Sequence, residues 1–219
     1  MKLNIGCGQS IMEGWINIDN SMSIKLAKLP LLFSKFLLRI KIINESQFDL
    51  IFFAKRNKIL SADCTKLPFS SNTVDVIYSS HMMEHLRRDD AIVFIKECFR
   101  VLKIGGALRL SLPDLKIATE RYIDNGDADF FMECLLMEPP KTKGIKNLIK
   151  LYLSGGYRNH SWMYDGNSLI KLLGNYGFKD AAILEPGKTL IKDRDGLNLY
   201  ERFEESVFVE SFKQDDSSI

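Results

Sequence analysis

The sequence predicts an α/β domain organised on a doubly wound, mostly parallel sheet, and three observations carry that prediction. Short apolar runs at Leu3 to Ile5, Ile59 to Asp63, Val74 to Tyr78 and Ala107 to Leu112 are interleaved with stretches of helical periodicity, the order expected when helices pack on a central sheet. The first run ends in Gly6-Cys7-Gly8 and the next closes on Asp19, the sharp strand-end turn and following carboxylate of a nucleotide-cofactor site. A chain of 219 residues with 46% hydrophobic content buries a full core, and its length suits one domain better than two.

Composition narrows the function classes. A formal net charge of +2 supplies no global field that would demand nucleic acid as a partner. The cysteines Cys7, Cys64, Cys98 and Cys134 form no C-x-x-C pair and no secreted framework, and the N-terminus carries a strand in place of a signal peptide, so the expectation is a cytoplasmic protein with reduced thiols. Lys28, Pro30, Lys35 and Arg39 interrupt the longest apolar candidate for a membrane span. The expected layout is one domain over 1–213, with an insertion at 21–60, a covering region at 127–159 and a flexible tail at 214–219.

Taken in order, Leu3 to Ile5 read as a buried parallel strand, and the glycines after it let a ligand approach the backbone. Asp19, ending the second strand, can accept both hydroxyls of a ribose. The missing third Gly near Ile11 argues against NAD and FAD. Ser21 to Leu60 alternates apolar clusters with Lys25, Lys28, Lys35, Arg39 and Lys41. Leu26, Leu29, Phe33, Phe36, Leu37 and Ile40 form one helical face, broken or kinked at Pro30. Two readings stand for it: a basic amphipathic element at 21–43 lying on an anionic membrane or lipid-linked substrate, or a helix packed over the cofactor pocket with snorkelling lysines.

Ile59 to Asp63 reads as a third strand with its exit loop. Asp63 there either accepts from the exocyclic amine of adenine, with Cys64 and Leu67 as apolar walls, or caps its own turn. Val74 to Tyr78 gives a fourth strand running out into Ser79-Ser80-His81. From Asp89 the spacing of Ala91, Ile95, Cys98 and Leu102 predicts a helix capped by Asp89 or Asp90 and ended by Gly105-Gly106, before a fifth strand from Ala107 to Leu112. Pro113-Asp114 opens a helix that Asn125-Gly126 closes. Residues 127–159, with Pro139-Pro140 and Gly155-Gly156, read as a mobile cover. Leu169, Leu172, Leu173 and Tyr176 mark a helix stopped by Gly177, Phe178 to Leu184 a strand, and Ser206 to Phe212 a last strand at a sheet edge or with an antiparallel partner.

In this order, NIGCG with GWINID, ADCTKLPF, VDVIYSSHMMEHL, ECFRVLKIGGALRLSLPDL and HSWMYD with NYGF resemble the class I S-adenosylmethionine-dependent methyltransferases, in particular their type-11-like group. The resemblance covers most of the chain outside 21–60 and 127–159. It implies a Rossmann-like, seven-stranded sheet with an antiparallel last strand and S-adenosyl-L-methionine as cofactor. It places Gly6, Cys7 and Gly8 along the methionine and ribose, Asp19 at the ribose hydroxyls, Asp63 and Cys64 at the adenine, and Ser79, Ser80 and His81 at the sulfonium end. Asn4 stands where that family usually has an acid. Only about eight residues separate the first two strands, where a crossover normally needs about a dozen, so the first helix is expected to be short or absent.

Methyl transfer to a hydroxyl or amine needs a proton acceptor, and His81 and His160 are the candidates, against a capping or hydrogen-bonding role for either. His85 reads as structural. Similar proteins often accompany surface-glycan synthesis, which points to a small-molecule or saccharide acceptor. Trp162 and Tyr164 could stack on a sugar face, although core packing explains Trp162 equally well. Two rival functions remain at this point. One is a catalytically silent cofactor-fold protein serving as a binding or membrane-docking module. The other is a zinc hydrolase through His81-x-x-Glu84-His85, for which no third protein ligand at suitable spacing is evident, so no metal is expected.

Overall fold

The computed structural model describes residues 1–137 and 159–215. Its buried apolar runs pair into one seven-stranded sheet in the order β3-β2-β1-β4-β5-β7-β6. The strands are β1 (Lys2–Ile5), β2 (Ile16–Ile18), β3 (Ile59–Leu60), β4 (Val74–Ser80), β5 (Leu102–Pro113), β6 (Phe178–Leu184) and β7 (Ser206–Lys213). β1 to β5 are parallel, and β7 runs antiparallel to both of its neighbours. The last strand therefore lies inside the sheet, and β6 forms the edge. The strand order reverses between β1 and β4, and a crevice opens there beyond the carboxyl ends of the strands.

One face of the sheet is covered by α4 (Arg88–Val101) and α7 (Gly166–Asn175), which bring Phe94, Ile95, Cys98, Leu169, Leu172 and Leu173 onto Leu3, Ile5, Ile77 and Leu110. The other carries a smaller cluster in which Met12 and Trp15, from the β1–β2 connection, and Ile191, from the β6–β7 connection, meet Val76, Tyr78 and Ala107. Trp15 Nε1 donates to Asp195 O at 2.9 Å, tying the two connections together. Beneath them Arg109, wholly buried, donates to Glu210 at 2.6 Å, and Glu210 also accepts from Thr189 Oγ1 and Leu190 N. A buried ion pair with these extra hydrogen bonds pins the β6–β7 connection to the sheet.

The short first crossover is realised without a helix. The ten residues from Gly6 to Trp15 contain turns only, and a buried amide network takes the helix's place. Asn4 and Asn17 are register partners on β1 and β2. Asn4 Nδ2 donates to Asn17 Oδ1 at 2.9 Å and to Ser10 O at 2.8 Å, while Asn17 Oδ1 accepts from Met12 N and Asn17 Nδ2 donates to Met12 O. The departure at Asn4 thus holds the loop in place of a helix's own hydrogen bonds.

Several boundaries differ from expectation. β3 is only two residues long, and Asp63 lies beyond it in the exit loop. α4 starts at Arg88, so Asp89 and Asp90 sit in its first turn, where they favour the helix dipole without capping. Gly105-Gly106 does not end that helix. The helix stops at Val101, and the glycines lie within β5, opposite the register shift of β4. A Cβ at Gly106 would lie 2.8 Å from Lys103 O and 3.2 Å from Asp75 O, so this bulge requires glycine. α5 (Leu115–Asn125) and its left-handed cap at Gly126 form as expected, and α6 (Ala128–Leu135) follows, capped by Asp127. The rest of the expected cover, including Pro139-Pro140 and Gly155-Gly156, and most of the tail lie outside the described residues.

The insertion forms three helices, α1 (Met22–Leu26), α2 (Leu31–Arg39) and α3 (Glu45–Arg56). Pro30 takes the N-cap position of α2, which breaks the expected single face. Leu26 and Leu37 turn inward with Ile43 and Ile51, whereas Leu29, Phe33, Phe36 and Ile40 stay exposed. Among the described residues no helix is long and apolar enough to cross a membrane.

Candidate active site

A cleft of about 1020 Å³ opens at the strand-order reversal, lined by the β1 and β2 exits, α3, the Asp63 loop, the β4 exit and the Glu201-Arg202 segment. Its first wall is built from backbone. Gly6 N and Cys7 N both donate to Ile18 O, at 2.8 and 3.0 Å, folding the β1 exit over the end of β2. Gly6 and Gly8 adopt φ of +77° and +50°. Their requirements differ: a Cβ on Gly6 would lie 2.5 Å from Met82 Cγ, whereas one on Gly8 would meet nothing within 4 Å. Close packing against Met82, rather than ligand approach, thus demands glycine at position 6, and the space beside Gly8 is free for a ligand.

Asp19 joins this wall to the insertion. Its Oδ2 accepts from Gly8 N at 3.0 Å and its Oδ1 from Ser21 N at 2.7 Å. Asp63 Oδ1 accepts from Thr65 N and Thr65 Oγ1, the turn-capping arrangement, which leaves its second oxygen for another partner. Burial, reinforced by Asp19 and Asp63 respectively, pushes the thiols of Cys7 and Cys64 up to about 12, so both remain protonated and serve as apolar lining.

The second wall is chemically different. His81, at φ +47° directly after β4, donates its backbone N–H to Ser111 O. Its Nδ1 lies 3.4 Å from Arg202 Nη1, a group that only donates, so Nδ1 is the acceptor and Nε2–H donates to Ser206 Oγ at 2.8 Å. Burial and the Arg202 charge lower the His81 pKa to about 3, keeping the ring neutral at physiological pH. Glu84 Oε1 lies 3.7 Å from His81 Nδ1 and from His85 Nε2. Glu84 is 1% exposed, and among the described residues neither of its carboxylate oxygens has a hydrogen-bond partner. Burial pushes its carboxyl up to about 7.

Known proteins match this architecture. A family model described as "Methyltransferase domain" matches residues 39–110, from the end of α2 to most of β5. A SAM-dependent methyltransferase of Methanosarcina mazei superposes over 97% of this chain and 92% of its own, with a TM-score of 0.50 and 17% identity. This chain shares the fold of the SAM-dependent methyltransferases. A SAM-dependent methyltransferase of Thermotoga maritima covers 97% of this chain and 81% of its own at 16% identity, with a TM-score of 0.48. The sterol 4-C-methyltransferase strm-1 of Caenorhabditis elegans is 38% identical over 64 residues, a match that spans 29% of this chain and 19% of that relative.

Within this fold, Gly6, Cys7, Gly8, Asp19, Asp63, Cys64, Ser80 and His81 all line the cleft. Ser79, inside β4, is buried without a hydrogen-bond partner for its hydroxyl, and Leu67 belongs to the main core rather than to the cleft. Tyr164 is 1% exposed and packs in that same core, so it offers no ring face to a sugar. Trp162 is exposed, with the Arg88 guanidinium over its ring at 5.2 Å. His160 is buried beside Glu84, because Ser161 N and Trp162 N both donate to Glu84 O. The H-x-x-E-H spacing does not act as a helical metal motif: Met83–His85 is a single 3-10 turn, and His81 lies before it at the strand end. Sequence reasoning missed Asp49, Leu50, Glu201 and Arg202, which reach the cleft from α3 and from the segment before β7. No local periodicity or spacing marks them, since only tertiary packing brings them there.

Proposed function

We propose that this domain binds S-adenosyl-L-methionine in the cleft and transfers its methyl group to a hydroxyl or amine of a small-molecule or saccharide acceptor. The observation that carries the reading is the convergence, at the strand-order reversal, of the Gly6 to Gly8 backbone turn, two carboxylates on adjacent strand exits and two protonated thiols. These groups fit the cofactor: open space beside Gly8 for the methionine and ribose, Asp19 for the ribose hydroxyls, and Asp63 with Cys64 for the adenine amine and ring. When bound, the cofactor supplies a methyl group activated by a sulfonium, displaced in line as the acceptor–methyl bond forms and the sulfur–methyl bond breaks.

The protein's share is alignment and proton handling. Ser80 and His81 stand at the β4 exit, where the sulfonium end would lie. His81, neutral at physiological pH, takes the acceptor's proton on Nδ1, in exchange for its long contact with Arg202. Its weak basicity suits a late transfer, because a hydroxyl that has gained a methyl while keeping its proton is a strong acid. Glu84, close to Nδ1, steadies the imidazolium as it forms. His160 is the second proton acceptor in this scheme, placed behind Glu84 instead of on the cleft surface.

The experiment is incubation with methyl-labelled S-adenosylmethionine and a panel of sugar and amine acceptors. Label on a sugar hydroxyl supports the reading. Tight S-adenosylhomocysteine binding with no transfer to any acceptor favours a silent binding protein.

A second reading concerns the insertion. α2 exposes Leu32, Phe33 and Phe36, the last at 54%, between the exposed bases Lys28, Lys35, Arg39 and Lys41. An apolar face flanked by bases fits an anionic lipid surface, and α3, against which α2 packs, lines the cleft. The methyltransferase would thereby meet a lipid-linked acceptor. Sedimentation with phosphatidylserine vesicles should carry the wild type down and leave Phe33→Ser/Phe36→Ser in solution. Equal recovery of both would overturn this reading.

A further inference from the structure

Glu84 and His160 carry buried polar atoms that have no hydrogen-bond partner among the described residues. Glu84 has both carboxylate oxygens unsatisfied, and His160, 6% exposed, has an unsatisfied Nδ1. An unpartnered buried carboxylate is costly to keep, and such a group is retained where something else completes it. His85 adds a third donor. Its Nδ1 lies 3.2 Å from Asn159 O, an oxygen that only accepts, so the proton sits on Nδ1 and Nε2 presents its lone pair, 3.7 Å from Glu84 Oε1. Anchoring one imidazole nitrogen on a carbonyl is the usual support of a histidine that ligates a metal through the other.

One ligand atom each from Glu84, His85 and His160 lie within 4.8 Å of one another. Two segments far apart in sequence supply them, and the framework that joins the segments is built. Ser161 N and Trp162 N donate to Glu84 O at 2.7 and 3.2 Å, and Ser161 Oγ donates to His85 O at 3.1 Å. His81 stands outside the set, since its two ring nitrogens face Ser206 and Arg202.

We propose that Glu84, His85 and His160 form a binding site for one divalent first-row transition cation. Two neutral imidazoles and one carboxylate suit zinc, manganese, iron or cobalt better than magnesium or calcium, which prefer all-oxygen shells. The three ligand atoms lie close enough together to share one ion, and three protein ligands leave coordination positions open. His85 lines the cleft, so those positions reach the acceptor end of the site. Building on the methyltransferase reading, the cation holds an oxygen of the acceptor and eases loss of its proton. The substrate class narrows to acceptors that chelate, with a hydroxyl beside a second hydroxyl or a carbonyl.

The test is titration of chelator-stripped protein with Co2+, followed by visible absorption and calorimetry, with S-adenosylhomocysteine binding measured separately on the metal-free protein. Wild type should bind one Co2+ per chain with saturable ligand-field bands. Glu84→Gln and His160→Ala should each weaken binding at least tenfold, and so should His85→Asn, an exposed substitution that leaves the core intact. Glu201→Gln, a cleft carboxylate outside the set, should bind like wild type. Absence of stoichiometric Co2+ binding in wild type, or wild-type affinity in His85→Asn and Glu84→Gln, would overturn the proposal. Loss of S-adenosylhomocysteine binding with Co2+ binding intact would instead overturn the cofactor reading alone.

Discussion

On the wall of the cleft built from Asn4 to Asp19, the protein satisfies its own polar groups: both Asp19 oxygens accept from backbone N–H groups, and Asn4 and Asn17 complete each other. On the wall built from His81 to His85 it does not, since Glu84 is sealed from water with no hydrogen-bond partner for its carboxylate among the described residues. The first wall is a finished shape that a ligand can enter without rearrangement, which lowers the ordering cost of binding. The second stores an electrostatic cost that an incoming charge or proton relieves. On the proposed reading, shape recognition and chemistry are thus separated across the cleft.

Breaking the finished wall should have the largest effect. Asn17→Ala removes the partner of Asn4 Nδ2, Met12 N and Met12 O together, and leaving buried groups unsatisfied should cost about 3 kcal/mol of stability. Urea unfolding would measure it, and S-adenosylhomocysteine affinity should fall with it.

The unfinished wall should respond to pH. The Glu84 carboxyl ordinarily titrates near 4.5 and is held at about 7 in the folded chain. The folded state keeps the extra proton between those values, so Glu84's own contribution to stability is full below about 4.5 and declines as pH rises through about 7. In the presence of chelator, Glu84→Gln should abolish this decline and leave the variant roughly 2 to 3 kcal/mol more stable than wild type at pH 8. A stability advantage of Glu84→Gln over wild type that does not grow with pH over this range would contradict the unsatisfied carboxylate.

How much of this was legible in the sequence differs between the walls. The glycine turn, Asp19, Asp63 and the short first crossover were all readable, because strand-end chemistry is local and its spacing is fixed by the backbone. Asn4 read as a defect and proved to be a support, since its partner Asn17 is a neighbour only through strand register. The start of α4 was misplaced because Arg87 caps it without a side-chain hydrogen bond, while Asp89 and Asp90 offer a more familiar capping signal. Gly105-Gly106 looked like a helix stop, as a bulge and a C-cap both favour glycine. Glu84 was visible only as part of a short motif, and nothing local announced that His160 would complete its surroundings or that Arg202 would face His81.

Smaller effects sharpen the contrast further. Gly8→Ala should cost only about 1 kcal/mol, the strain of positive φ in otherwise open space. Gly6→Ala should cost about 2 kcal/mol, since Met82 must also move. Thermal unfolding would rank them, and equal costs would show that Met82 yields freely. Smallest of all, Phe33→Ser/Phe36→Ser on exposed α2 should leave stability within about 0.5 kcal/mol of wild type by the same measurement.

Calorimetric titration of S-adenosylhomocysteine into wild type, Asp63→Ala and Glu84→Gln tests the division of labour most directly. The account predicts saturable binding by wild type, affinity at least tenfold weaker in Asp63→Ala, and wild-type affinity in Glu84→Gln. Unchanged binding in Asp63→Ala, or its loss in a folded Glu84→Gln, would contradict it.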